Sequence, residues 1–158
     1  MSSPHEEIGL TRHTVGPISS LIPTVAKAHR KLAGSLLEDL GLAAGQEFVL
    51  MLLWKESPRT QADLTRLLLI EPPTMAKMLA RLERSGFIER ERSSTDRRVV
   101  LVSPTTAGRE LEDAVTAAWA TLEEHTSAGL SSDEQAQLRD LLARVAVTLT
   151  ETTADPAS

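Results

Sequence analysis

The sequence predicts a mainly α-helical chain with one small β-hairpin. Apolar residues recur at helical spacing through most of its 158 positions. Aromatic residues make up 3% of the chain and Tyr is absent, so the core must be built from Leu, Val, Ile, Ala and Met, a set that favours helices. One stretch breaks the pattern. From Phe87 it alternates Glu and Arg to Arg92, crosses a polar segment, and then presents Val99, Val100, Leu101 and Val102, which reads as strand, turn, strand.

Residues 1–16 read as a flexible N-terminal arm. From Ile18 to Leu40 the positions Ile18, Leu21, Ile22, Val25, Leu32, Leu36 and Leu37 keep helical spacing, with Pro23 allowed only near the start and Gly41 as the stop. A second helix follows from about Ala44 to Glu56, broken by Ser57 to Thr60. Thr60 caps a short third helix ending near Leu69, in a capping-box pattern with Asp63 in the acidic place. Pro72 and Pro73 suit the first turn of a fourth helix, which Gly86 ends. Met75, Leu79 and Leu82 form its inward stripe, and Thr74, Lys77, Met78, Arg81 and Arg84 lie away from it. Strands are expected near 87–92 and 98–103. Thr105 caps a long helix from Thr106 to about Ser127, and Ser131 with Glu134 opens a last helix carrying Leu138, Leu141, Leu142, Val145 and Leu149 on one side. Residues 151–158 should fray.

Two short helices joined by a tight turn and followed by a hairpin make a winged helix-turn-helix. Charge supports a nucleic-acid role for it. The chain carries a net −5, yet residues 74–98 hold seven Lys and Arg against four Asp and Glu, while the remainder holds ten against eighteen. A helix fits the major groove and reads base edges there, and a wing arginine can enter the minor groove. The bland alternatives stay open. Lys77 and Arg81 are groove contacts or solvated helix residues. Met78 is a thymine-methyl contact or packing. Arg84 and Arg90 are phosphate contacts or plain surface. Asp96 is a turn former or the partner that orients a wing arginine, with Arg98 as the groove probe and Arg97 as a phosphate contact or the arginine that Asp96 holds.

In this order and at these spacings, Pro73-Thr74, Leu82-Glu83 with Gly86, Asp96 with Arg98, and Thr105 with Gly108 resemble the MarR-type (multiple antibiotic resistance regulator) family over roughly residues 20–150. The stretches "GQEFVLMLL", "TQADLTRLL" and "LSSDEQAQLRDLLARV" are similar to the family as well. The resemblance implies an N-terminal dimerisation helix at 17–42, a winged helix-turn-helix DNA-binding domain at 43–104, and C-terminal dimerisation helices at 105–150. It further implies a bacterial homodimer that represses from a pseudopalindromic operator on double-stranded DNA, and the lack of a membrane span or secretory signal adds the expectation of a cytoplasmic protein. A small aromatic or phenolic effector would release it, with His29 and Trp54 as candidate lining residues. For these two the bland reading is a surface histidine and a core tryptophan, and for Trp119 it is dimer or core packing. Within the expected DNA set stand Pro73, Thr74, Lys77, Met78, Arg81, Arg84, Arg90, Asp96, Arg97 and Arg98. Two departures from the family carry expectations. Ala43 stands where a threonine often caps the second helix, so that helix should start loosely. Pro104 stands where a leucine is usual and should end the hairpin early.

Other classes find little support. Cys is absent, which excludes disulfides and thiolate chemistry. No pair of the four histidines is spaced as metal ligands, and no phosphate loop, nucleophile motif or paired carboxylate suggests an enzyme or a cofactor. No apolar run reaches a membrane span, and the first ten residues do not form a secretory signal. The remaining alternative is a winged helix used for protein interaction without specific DNA binding, which a gel shift with competitor DNA separates from a regulator.

Overall fold

The computed structural model describes residues 16–154; the expected arm, apart from Gly16, and the last four residues of the expected tail lie outside the described residues. The chain groups into two compact units, one up to Leu122 and one from Glu123 onward.

In the first unit, α1 spans Leu21–Glu38, with Pro23 in its first turn, where the missing N–H has no intrahelical acceptor to lose. Helix α2 spans Gln46–Lys55. Its expected loose start is corrected by its own side chains. Gln46 Oε1 accepts the Ala43 N–H at 3.0 Å and Glu47 Oε2 accepts the Gly45 N–H at 2.7 Å, so two N–H groups of this turn are satisfied by side chains of the helix. Gly45, the N-cap, adopts φ +100, a region that only glycine enters without strain.

A short strand, β1 (Arg59–Thr60), precedes α3 (Gln61–Leu68), which Thr60 caps by accepting the Asp63 N–H at 3.0 Å. The strand was not expected, because two residues are too few to show alternation. Helix α4 spans Pro72–Arg84 with both prolines in its first turn and Met75, Leu79 and Leu82 fully buried. The hairpin consists of β2 (Ile88–Arg92) and β3 (Val100–Pro104), paired from Ile88 with Pro104 to Arg92 with Val100. Pro104 therefore does not shorten the hairpin; it is the last paired residue, at a strand end where its missing N–H costs nothing in the ladder. Strand β1 pairs with β3 on its other side, giving the antiparallel order β1-β3-β2.

The long helix expected from Thr106 is two helices, α5 (Thr106–Glu110) and α6 (Glu112–Ser127). The break falls one turn after Gly108, whose carbonyl, offered to the Glu112 N–H in a continuous helix, accepts the Trp54 indole N–H at 2.9 Å. Gly108 also lies so close to the Phe87 carbonyl that a β-carbon would collide with it. Leu37, Leu50, Leu53, Leu64, Ile88 and Val102 join the α4 stripe in one core, which seats α4 and the hairpin firmly while their outer faces stay exposed.

In the second unit, α7 runs Ser132–Ala154 and is opened by the expected capping box. The Ser131 N–H donates to Glu134 at 2.8 Å and the Glu134 N–H donates to Ser131 Oγ at 3.3 Å. The helix continues through residues 151–154, which were expected to fray; Thr148, Thr150, Thr152 and Thr153 each donate to the carbonyl four residues back. None of its residues is buried, and Leu138, Leu141, Leu142, Val145 and Leu149 are exposed. Among the described residues, no helix is long and apolar enough to cross a membrane.

Candidate nucleic-acid interface

Helix α4 turns its polar side outward because its apolar stripe is pinned in the core. Pro73, Thr74, Lys77, Arg81 and Arg84 are all exposed, and Lys77, Arg81 and Arg84 follow one another at i, i+4 and i+7 along a single row. Among the described residues none of these three cations has an ion pair or hydrogen-bond partner. An unpaired row of this kind can meet an anionic surface without first breaking internal contacts.

Met78 belongs elsewhere. It is half-buried and packs on the core, and a β-carbon added to Gly45 would lie in ordinary contact with its Cε. Arg90 is also engaged: its Nε and Nη2 donate to Glu83 Oε2 at 3.0 and 2.6 Å, tying β2 to the end of α4. No sequence spacing advertises that pair, because it joins two elements across seven residues and a turn.

The wing is held from inside. The Ser93 N–H donates to the Val99 carbonyl and the Val99 N–H to the Asp96 carbonyl, both at 2.9 Å, and Arg92 Nη1 donates to the Arg97 carbonyl at 2.7 Å. Asp96 accepts from the Arg98 N–H at 3.0 Å and from Nε and Nη2 of the same arginine at 3.2 and 3.3 Å. The Arg98 side-chain bonds, then its backbone N–H, hold the Asp96 carboxyl below its usual range. Asp96 therefore holds Arg98 rather than Arg97. Arg97 is exposed and, among the described residues, its side chain has no partner.

A cavity of about 280 Å³ opens in the same unit, between α1 at His29 and Arg30, Ala44, Gly45, Glu47 and Phe48 at the start of α2, and Trp119 of α6. Trp119 packs edge-on against Phe48 at 5.4 Å and His29 at 6.4 Å, and among the described residues its buried indole nitrogen has no acceptor. Glu47 lies on the wall, 1% exposed. Burial raises its pKa, against the lowering pull of the Glu47 and Gly45 backbone N–H groups and the Arg30 charge. His29 is thus on the cavity, whereas Trp54 spends its indole N–H on Gly108 and is not among the lining residues. The aromatic wall comes from Trp119 and Phe48. Sequence reading missed them because two helices far apart in the chain bring them together.

The model of the MarR family matches residues 42–100. Over 78 residues the chain is 36% identical to the organic hydroperoxide resistance transcriptional regulator of Bacillus subtilis, a match that covers 49% of this chain and 53% of that protein, about half its length. It is similar to the crystal structure of wild-type MarR from E. coli in its apo form (30% identity, 83% of this chain and 97% of that one, TM-score 0.69). It is similar also to a mutant MarR from E. coli complexed with operator DNA (29% identity, 91% of this chain and 99% of that one, TM-score 0.75).

Proposed function

The chain belongs to the MarR family, and from that premise we propose that it is a sequence-specific, double-stranded DNA-binding transcriptional regulator. The observation that carries this reading is the free cationic row Lys77, Arg81 and Arg84 on a helix locked into the core, beside a wing whose Arg98 is already oriented by Asp96. In this reading the row enters a major groove and Arg98 the neighbouring minor groove, with Pro73, Thr74 and Arg97 as further contacts. The likeness to a MarR bound to operator DNA supports the same reading.

The finer assignment is a cytoplasmic homodimeric repressor released by a small aromatic or phenolic effector. Exposed Ile18, Leu21, Ile22 and Val25 at the start of the chain, and the bare apolar stripe of α7, supply surface that a second copy would cover. Two-fold symmetry would then match a pseudopalindrome with half-sites about one helical turn apart. Effector binding is assigned to the cavity, whose aromatic walls, unpaired Trp119 N–H and adjoining Arg30 and His29 suit a planar acidic ring. Thiol oxidation of this sequence is not the signal, since it contains no Cys.

The test is an anisotropy titration of a duplex selected from a random pool, against scrambled duplex, over a salt series. Preference for the selected duplex and a linear fall of log K with log salt are expected. Equal affinity for both duplexes would reject sequence-specific regulation.

A further inference from the structure

Three hydroxyls stand in a row at the tip of the wing, and the wing uses two of them. Ser93 Oγ accepts the Thr95 N–H at 3.3 Å and the Asp96 N–H at 3.5 Å, and it shares a hydrogen bond with Thr95 Oγ1 at 2.9 Å. Ser94, between them, is exposed, and among the described residues its side chain has no partner. The bond from the Ser93 N–H to the Val99 carbonyl closes residues 94–98 into one short loop. Ser94 shares that loop with Arg97, whose side chain is unpartnered among the described residues, and with Arg98, which Asp96 holds. Arg92 precedes it by two residues and donates to the Arg97 carbonyl across the loop.

We infer that Ser94 is a phosphorylation site and that its phosphate switches DNA binding off. The switch rests on the DNA-binding reading above; the site itself does not. The co-substrate is ATP, brought by a protein serine kinase whose acidic groove accepts the flanking arginines. Ser94 Oγ bonds to the γ-phosphorus, and the bond from that phosphorus to the β,γ-bridging oxygen breaks. ADP leaves and the hydroxyl proton passes to the base of the kinase. The loop carries Arg97 and Arg98 against Asp96, a net of +1. A phosphate brings about −2 near neutral pH, so the sign of the tip reverses. Its oxygens also compete with the single Asp96 carboxylate for Arg98 and give Arg97 a partner. Both arginines then meet a phosphate of the chain itself in place of one on DNA. In this reading DNA on the wing covers Ser94, so the kinase acts on the free chain and keeps it off its operator.

The experiment has two arms, both on the full chain. In the first, the chain is incubated with a lysate of the cells it comes from and ATP carrying heavy oxygen in its γ-phosphate, and mass spectrometry locates the label. Label on Ser94 is expected, absent from Ser94→Ala and reduced when the chain is first loaded on a duplex that it selects from a random pool. A chain unlabelled at Ser94, or labelled at Ser93 or Thr95 in its place, overturns the site. In the second arm, phosphoserine replaces Ser94 during synthesis and binding to the selected duplex is titrated at one salt concentration. Binding is expected to weaken at least about thirtyfold and to recover on phosphatase treatment, while Ser94→Ala stays within about twofold of wild type. A loss below about threefold overturns the switch, as does a loss accompanied by a changed circular dichroism spectrum. A wild-type chain that selects no sequence overturns the regulator reading and the switch together, whereas selection with unchanged affinity of the phosphorylated chain overturns the switch alone.

Discussion

Asp96 grips Arg98 at three points, its backbone N–H at 3.0 Å and its Nε and Nη2 at 3.2 and 3.3 Å, while the arginine side chain remains 91% exposed. So exposed a pair does little for stability; its effect is to aim the guanidinium before any partner arrives. Two accounts of Asp96 then part company. Pure electrostatics predicts that Asp96→Asn tightens DNA binding by removing a negative charge. Orientation predicts weaker binding, and that is the expected result. Arg98→Ala should weaken binding strongly with folding intact. Titrating both variants at one salt concentration decides, and tighter binding by Asp96→Asn defeats the orienting role.

The cations of α4 should differ by their partners. Lys77→Ala and Arg81→Ala remove free side chains from the exposed row and are expected to relax base preference by about 1–3 kcal/mol each where the lost contact is bidentate. Arg90 is spent on Glu83, so Arg90→Ala should change base preference less than either. Competition with single-base variants of the selected duplex measures all three. Wild-type discrimination by both Lys77→Ala and Arg81→Ala would show that α4 does not read sequence.

The apolar stripe of α7 should mediate self-association. Leu141→Glu with Leu142→Glu places two charges on that exposed stripe. At about micromolar concentration the wild type should sediment as a dimer and the variant as a smaller or unfolded species, because burying unpaired carboxylates is costly. A dimer with unchanged affinity in the variant would remove α7 from the interface.

Gly108→Ala should destabilise the first unit by about 3 kcal/mol or more, since the new methyl collides with the Phe87 carbonyl rather than with a movable side-chain tip. The Trp54 bond to the Gly108 carbonyl would be disturbed with it. Thermal melts with Trp fluorescence check this; an unchanged midpoint would mean that α5 shifts freely against β2.

Glu47 makes a signed prediction with pH. Burial raises its pKa in the folded chain, so the native state binds that proton more readily than the unfolded state. The associated stability is fully present below the ordinary glutamate value of 4.5 and is lost as pH rises through the raised value. Glu47→Gln has no charge to bury. Relative to wild type it should gain stability progressively above pH 4.5 and show none of that gain below. Urea melts at stepped pH read the difference, and a difference independent of pH contradicts it.

What the sequence by itself determined was the order of elements and the face of α4 turned outward. Those properties are local. Pro72 and Pro73 can only open a helix, Thr105 and Ser131 cap whatever follows them, and the spacing of Met75, Leu79 and Leu82 defines an inside without reference to any other element. The tertiary structure alone decided which exposed-looking residues were already engaged. Arg90 finds Glu83, Met78 packs on the core, Trp54 finds Gly108, and Trp119 in place of Trp54 reaches the cavity. The brief β1 strand and the interruption between α5 and α6 belong to the same group, since each exists only because a distant segment offers it a partner. Periodicity reports the direction a side chain takes from its own helix or strand. It carries no information about what another element, placed by the packing of the whole core, sets in front of it.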